Sequence, residues 1–122
     1  RNAMIKNDIF EVRKVLVKEG VDDSIFLFKG LFKDTIPKLP KVQENGGHIR
    51  FCFAYVDCDL YQGTKQALEY LKPRMSPNGI IFIDDYTSTN WIGVKKAVLE
   101  ILPEKDIKEY NGQAYWIKKW KN

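Results

Sequence analysis

Apolar residues recur at helical spacing in three stretches of this chain and run unbroken in three others. Ile9, Val12, Leu16 and Val17 fall on one face of a helix of about three turns. Asn7 or Asp8 offers its N-cap, and Gly20 its stop. Ala67, Leu68 and Leu71 make the inner face of a second helix, which ends before Pro73. Val94, Ala97, Val98 and Ile101 do the same for a third, from about Trp91 to Leu102. The runs Ile25–Phe28, Phe51–Val56 and Ile80–Ile83 are apolar without alternation, the pattern of strands covered on both faces in a parallel sheet. Ser76-Pro77-Asn78-Gly79 reads as a turn before the last of these. Asn111-Gly112, between Asp106–Tyr110 and Ala114–Lys118, is a strong hairpin signal. Residues 38 to 50 hold Pro40, Gly46, Gly47 and the solvent-type His48, and read as a surface loop. The order is helix, strand, strand, helix, strand, helix, hairpin. It predicts an α/β fold with a mostly parallel sheet, flanking helices and a C-terminal antiparallel hairpin.

At 122 residues the chain has the length of one domain. Residues 4–122 read as that domain, with Arg1-Asn2-Ala3 ahead of Met4 as an expression scar. Its 44% hydrophobic and 30% charged residues suit a folded soluble protein rather than a disordered one. No apolar run is long enough to span a membrane, and no secretory leader is visible. Cys52 and Cys58 read as free thiols, so a cytoplasmic location is expected.

The net charge of +4 raises the question of nucleic acid. The densest cluster, Lys118, Lys119 and Lys121 around Trp120, has the residue types that hold phosphate and stack a base. A solvated strand end is the simpler reading, and nucleic acid is not the expected partner.

The chemistry concentrates where two apolar runs end. Asp57 and Asp59 follow Phe51–Val56, and Asp84 and Asp85 follow Ile80–Ile83. In open α/β sheets ligands bind beyond the carboxyl ends of the strands. Neighbouring strands lie about 4.8 Å apart, so these carboxylates converge and repel unless a cation sits among them. Oxygen donors suit Mg²⁺, Mn²⁺ or Ca²⁺ rather than zinc. Asp59 has a competing and preferred role. It precedes a helix, with Gln62 three residues on, as in a capping box. Asp57, Asp84 and Asp85 are too far from a helix start to cap one. A lone strand-end aspartate is often only a turn residue, and its recurrence on two strands is what points to a site.

In these segments the sequence resembles the macrocin O-methyltransferase family, class I enzymes that use S-adenosylmethionine and a divalent metal on sugar hydroxyls of natural products. The matching stretches are residues 29–37 (Lys-Gly-Leu-Phe-Lys-Asp-Thr-Ile-Pro), Val56-Asp57-Cys58-Asp59-Leu60-Tyr61, and Leu71 through Tyr86 with its Ser-Pro-Asn-Gly and Asp-Asp-Tyr. The resemblance implies a partial Rossmann-like methyltransferase fold. It implies that Asp57, Asp84 and Asp85 hold Mg²⁺ or Mn²⁺, and that Asp57 takes the proton of the methylated hydroxyl. It places Gly30, Leu31 and Phe32 at the adenine pocket of S-adenosylmethionine, with Leu31 where the family often has tryptophan. Tyr55 stands where histidine is often found. The acceptor implied is a small molecule, a sugar or another vicinal diol.

Family members begin with a strand and a glycine-rich turn for the cofactor, then a second strand. Nothing before Ile25 supplies these. The expectation is therefore the C-terminal portion of a methyltransferase, inactive alone. In the family's sheet the two absent strands sit between those at Ile25 and Phe51. Phe51–Val56 then has a free edge with no lysine or proline to discourage pairing. A homodimer is expected, through that edge or by exchange of the N-terminal helix and strand, or else closure of the gap by Ile25–Phe28. The alternative function is a non-enzymatic remnant or assembly domain that oligomerises through the same edge.

Overall fold

The computed structural model describes residues 8–39 and 46–119. The chain divides into two compact units, Arg1–Gly30 and Leu31–Asn122.

The first unit is built on α1 (Ile9–Lys18). Asp8 caps it, its carboxylate accepting from the Phe10 amide at 2.8 Å. Gly20, at φ 72°, stops it in the left-handed region, and the Val21 amide returns to the Leu16 carbonyl. Ile9 and Val12 line a small cavity of about 160 Å³ with Leu27, Phe28 and Lys29. The Ile25–Phe28 run thus folds back on the helix. It starts extended, with Ile25 at φ −126° and ψ 128°, yet it is not the strand expected. A strand exists through a neighbour's backbone groups, and no described strand pairs with this segment.

The second unit holds a four-stranded sheet in the order β1 (Phe51–Val56), β2 (Met75–Ile83), β4 (Gln113–Ile117), β3 (Ile107–Tyr110). Only β1 and β2 are parallel. The pairs β2–β4 and β3–β4 are antiparallel. The expectation of a mostly parallel sheet is corrected accordingly: the hairpin adds two strands, and Ile25–Phe28 adds none. The Ser76–Gly79 turn lies within β2 as a bulge. Phe51 faces Met75 and Phe53 faces Ile80, so two steps of β1 match five of β2. Asn78 takes φ 66° there. A Cβ on Gly79 would lie 2.8 Å from the Ser76 carbonyl oxygen and 3.1 Å from that of Phe51.

The helices α3 (Tyr61–Leu71) and α4 (Ile92–Ile101) bury Leu68, Val94 and Val98 against Val56, Ile81, Ile83, Ala114 and Trp116 of the sheet. Leu102 and Met75 complete this core. Alternate sheet residues form an aromatic row on the opposite face, Phe53 to Phe82 at 5.9 Å and Phe82 to Tyr115 at 5.3 Å between centroids. No helix among the described residues is long and apolar enough to cross a membrane. Of the basic C-terminal cluster, Trp120 and Lys121 lie outside the described residues.

Candidate functional site

Parallel pairing of Val56 with Ile83 sets Asp57 and Asp84 side by side, and the Asp84 amide donates to the Val56 carbonyl at 3.0 Å. Both chains then turn through a left-handed aspartate, Asp59 at φ 63° and Asp85 at φ 59°. Aspartate and asparagine tolerate this region because their short polar side chains bond locally. The two turns bring carboxylate oxygens of Asp57, Asp59 and Asp85 within 4.8 Å of one another. Asp57 is exposed and the other two are half-buried.

The sequence expectation named Asp84 beside Asp57 and Asp85. In the structure Asp84 Oδ1 accepts from Gln113 Nε2 at 3.3 Å, and the same amide nitrogen donates to Tyr55 Oη at 3.0 Å. The third carboxylate of the close group is Asp59. Its expected capping role is not seen: α3 has Leu60 at its N-cap and no side-chain cap. An N-cap residue needs extended backbone, and φ 63° at Asp59 is incompatible with that. Tyr55 registers the local field. Its phenol is held above its ordinary pKa by desolvation first, then by the charges of Asp84, Asp57 and Asp85.

Cys58, between the two first aspartates, is a support. Its Sγ lies 3.2 Å from Thr64 Oγ1, whose single hydrogen goes to the Leu60 carbonyl at 2.7 Å. The thiol is therefore the donor, and burial pushes its pKa up. It stays a neutral thiol, unlike a metal-ligating thiolate.

The helix starts that follow the aspartates are locked together. A Cβ on Gly93 would fall 2.8 Å from Tyr61 Cβ and 3.1 Å from the Tyr61 amide nitrogen. Only glycine lets α4 approach α3 this closely. The Tyr61 hydroxyl bonds Glu100, and Lys96 lies over the Tyr61 ring at 5.0 Å. The short helix α2 (Phe32–Thr35) has Leu31 at its N-cap. Leu31 is 64% exposed and Phe32 37%. The Phe32 ring sits against the first turn of α3, 3.5 Å from where a Gly63 Cβ would be. Gly30 closes the other unit at φ 138°, a conformation open to glycine.

The family model for Macrocin-O-methyltransferase (TylF) matches residues 4–118. The chain belongs to the macrocin O-methyltransferase family. Among curated members it is 37% identical over 86 residues to 8-demethyl-8-(2,3-dimethoxy-alpha-L-rhamnosyl)-tetracenomycin-C 4'-O-methyltransferase of Streptomyces olivaceus, covering 70% of this chain and 30% of the relative. It is 36% identical over 66 residues to mycinamicin III 3''-O-methyltransferase of Micromonospora griseorubida, covering 54% of this chain and 23% of that one. The solved O-methyltransferase NovP superposes with a TM-score of 0.78 at 27% identity, over 98% of this chain and 48% of NovP. The chain thus spans less than a third of either curated relative and about half of NovP.

Proposed function

We propose that this chain builds the metal and acceptor side of an S-adenosylmethionine-dependent O-methyltransferase acting on a sugar hydroxyl or another vicinal diol of a small molecule. The observation that carries this reading is the convergence of Asp57, Asp59 and Asp85 at the ends of two neighbouring parallel strands. The family membership and a curated relative named for a rhamnosyl acceptor support it. Three carboxylates with no sulfur or imidazole fit a hard divalent ion, Mg²⁺ or Mn²⁺, held by Asp57, Asp59 and Asp85 with Asp84 beside them. Such an ion orients two acceptor oxygens and lowers the pKa of one. Asp57, the most exposed of the group, is the carboxylate that takes the hydroxyl proton. Leu31 and Phe32 offer apolar surface for the adenine ring.

Among the described residues no glycine-rich turn leads into a helix, the device that holds the anionic end of such cofactors. This chain alone is expected to bind S-adenosylmethionine weakly and to transfer no methyl group, and micromolar affinity by calorimetry would contradict that. The function itself is tested by joining the chain to the part of NovP that has no counterpart here. The chimera is expected to move a labelled methyl group from S-adenosylmethionine to a rhamnoside in the presence of Mg²⁺, and to lose this with Asp57→Asn. A folded, cofactor-binding chimera that transfers nothing overturns the reading.

One observation favours a second property, self-association. Among the described residues the strand β1 is an edge of the sheet, and the Val56 carbonyl is spent on β2. Backbone groups alternate sides along a strand, so those of Phe53 and Tyr55 face outward, and both side chains are more than half exposed. We expect a homodimer through this edge. Light scattering at about 100 µM should report twice the 14.3 kDa chain mass, and Phe53→Lys should return the monomer. A clean monomer of the unaltered chain contradicts it.

A further inference from the structure

The two strand ends that lead into the carboxylates are braced by a residue from a third strand. Side chains two residues apart share a face of a sheet. Tyr55 on β1, Phe82 on β2 and Tyr115 on β4 stand in register across one face. Asp84, two residues after Phe82, and Gln113, two before Tyr115, continue that face beyond the carboxyl end of β2. The strand β2 lies between β1 and β4, so the Gln113 side chain reaches over the end of β2 to meet both neighbours. Its Nε2 donates to Tyr55 Oη at 3.0 Å and to Asp84 Oδ1 at 3.3 Å. An amide NH2 has two hydrogens, matching these two acceptors. An ionised carboxylate only accepts, so it is the nitrogen of the amide that turns toward Asp84.

The bland account is that a glutamine after a tight turn bonds any acceptor in reach and staples three strands. Its partners argue for more. Tyr55 precedes Asp57 by two residues and Asp84 precedes Asp85 by one. One amide therefore holds both chain segments that run into the group of Asp57, Asp59 and Asp85. The donor's neutrality matters as well. A lysine or arginine in its place would fix Asp84 but offset its charge and oppose a cation. A neutral amide fixes the carboxylate and leaves its negative charge to act on the group beside it. Residues that hold the ligands of a metal govern its affinity too, and loss of one commonly costs about 10- to 100-fold.

We propose that Gln113 is a positioning residue of the cation site: it fixes Asp84 beside Asp57, Asp59 and Asp85, and Tyr55 fixes Gln113 in turn. The proposal rests on the reading of those carboxylates as a site for a divalent cation.

The test is the Mn²⁺ affinity of the chain, read from the electron paramagnetic resonance signal of free Mn²⁺. Gln113→Leu keeps the bulk, removes the donor, and should weaken binding about tenfold. Asp84→Ala should retain weakened binding through the three remaining carboxylates. In that background Gln113→Leu should have no further effect, because its action passes through Asp84. A glutamine that only staples strands would add its own loss to that of Asp84→Ala. Tyr55→Phe removes one hydroxyl from a half-exposed ring and serves where Gln113→Leu fails to fold. It should also weaken binding, and likewise do nothing further in the Asp84→Ala background. Undiminished affinity in either variant, or equal losses with and without Asp84, overturns the proposal and leaves the cation site standing. An unaltered chain that binds no Mn²⁺ overturns the cation site and this proposal with it.

Discussion

Asp85→Asn is expected to abolish divalent-cation binding and, at the same time, to raise the melting temperature of the metal-free chain. Three carboxylates with oxygens within 4.8 Å of one another repel. At such a distance two unit charges interact by about 1 kcal/mol in water and by several times that in a less polar setting. The exposure of Asp57 places the group nearer the watery end. Asparagine keeps the shape of Asp85, removes one charge, and suits φ 59° at least as well. The gain should be about 1 kcal/mol. An ion at a hundred times its Kd stabilises the folded state by about 2.7 kcal/mol. Thermal melts in EDTA and in Mn²⁺ read both effects. The unaltered chain should gain stability with Mn²⁺, and the variant should start higher and not respond. A variant that melts lower in EDTA and still responds to Mn²⁺ contradicts the account.

Gly93→Ala is expected to destabilise the chain, although it places a better helix former inside α4. The propensity gain is about 1 kcal/mol. Against it stands a methyl group 2.8 Å from Tyr61 Cβ and 3.1 Å from the Tyr61 backbone nitrogen. Backbone cannot swing aside as a flexible side chain can, and overpacking of this kind costs about 1–3 kcal/mol. The net loss should be about 1–2 kcal/mol, from these opposed terms. The shift falls on the start of α3, two residues after Asp59, so Mn²⁺ affinity should drop with it. Urea unfolding and a Mn²⁺ titration of the same variant check the two halves. A Gly93→Ala chain as stable as the unaltered one removes the argument that close helix approach fixes the carboxylate turns.

Much of the α/β unit was legible from periodicity. Leu68, Val94, Val98, Ile81 and Ile83 are core residues in the structure and apolar-face residues in the sequence. The Asn111-Gly112 hairpin was legible because a two-residue turn with both residues at positive φ has few other solutions. Ile25–Phe28 misled because an apolar run shows only that a segment can be buried. Pairing depends on what stands beside it, and here the segment packs on α1. The same holds for the turn at Ser76–Gly79, which the sheet absorbs as a bulge through contacts with Phe51 and Lys118 that lie far away in sequence.

At the site, the two strand-end aspartate pairs announced a cluster, but not its membership. Asp59 matched a capping box at the level of spacing, and only its left-handed backbone sends the carboxylate to Asp57 and Asp85. Asp84 is met by Gln113 from β4, a residue with no local motif to mark it. The signal available in the sequence was the Asp-x-Asp spacing itself. It puts two carboxylates within one turn of chain, close enough to share a ligand if the backbone reverses.

The most direct test of the proposed cation site is a Mn²⁺ titration of the ¹⁵N-labelled chain followed by line broadening. Broadening should begin at the amides of residues 57–60 and 84–86. It should spare those around Lys72 and Lys105 at the other end of the nine-residue β2 strand. Broadening that is uniform, absent, or first seen away from the aspartate turns would contradict the assignment of Asp57, Asp59 and Asp85 as the cation site.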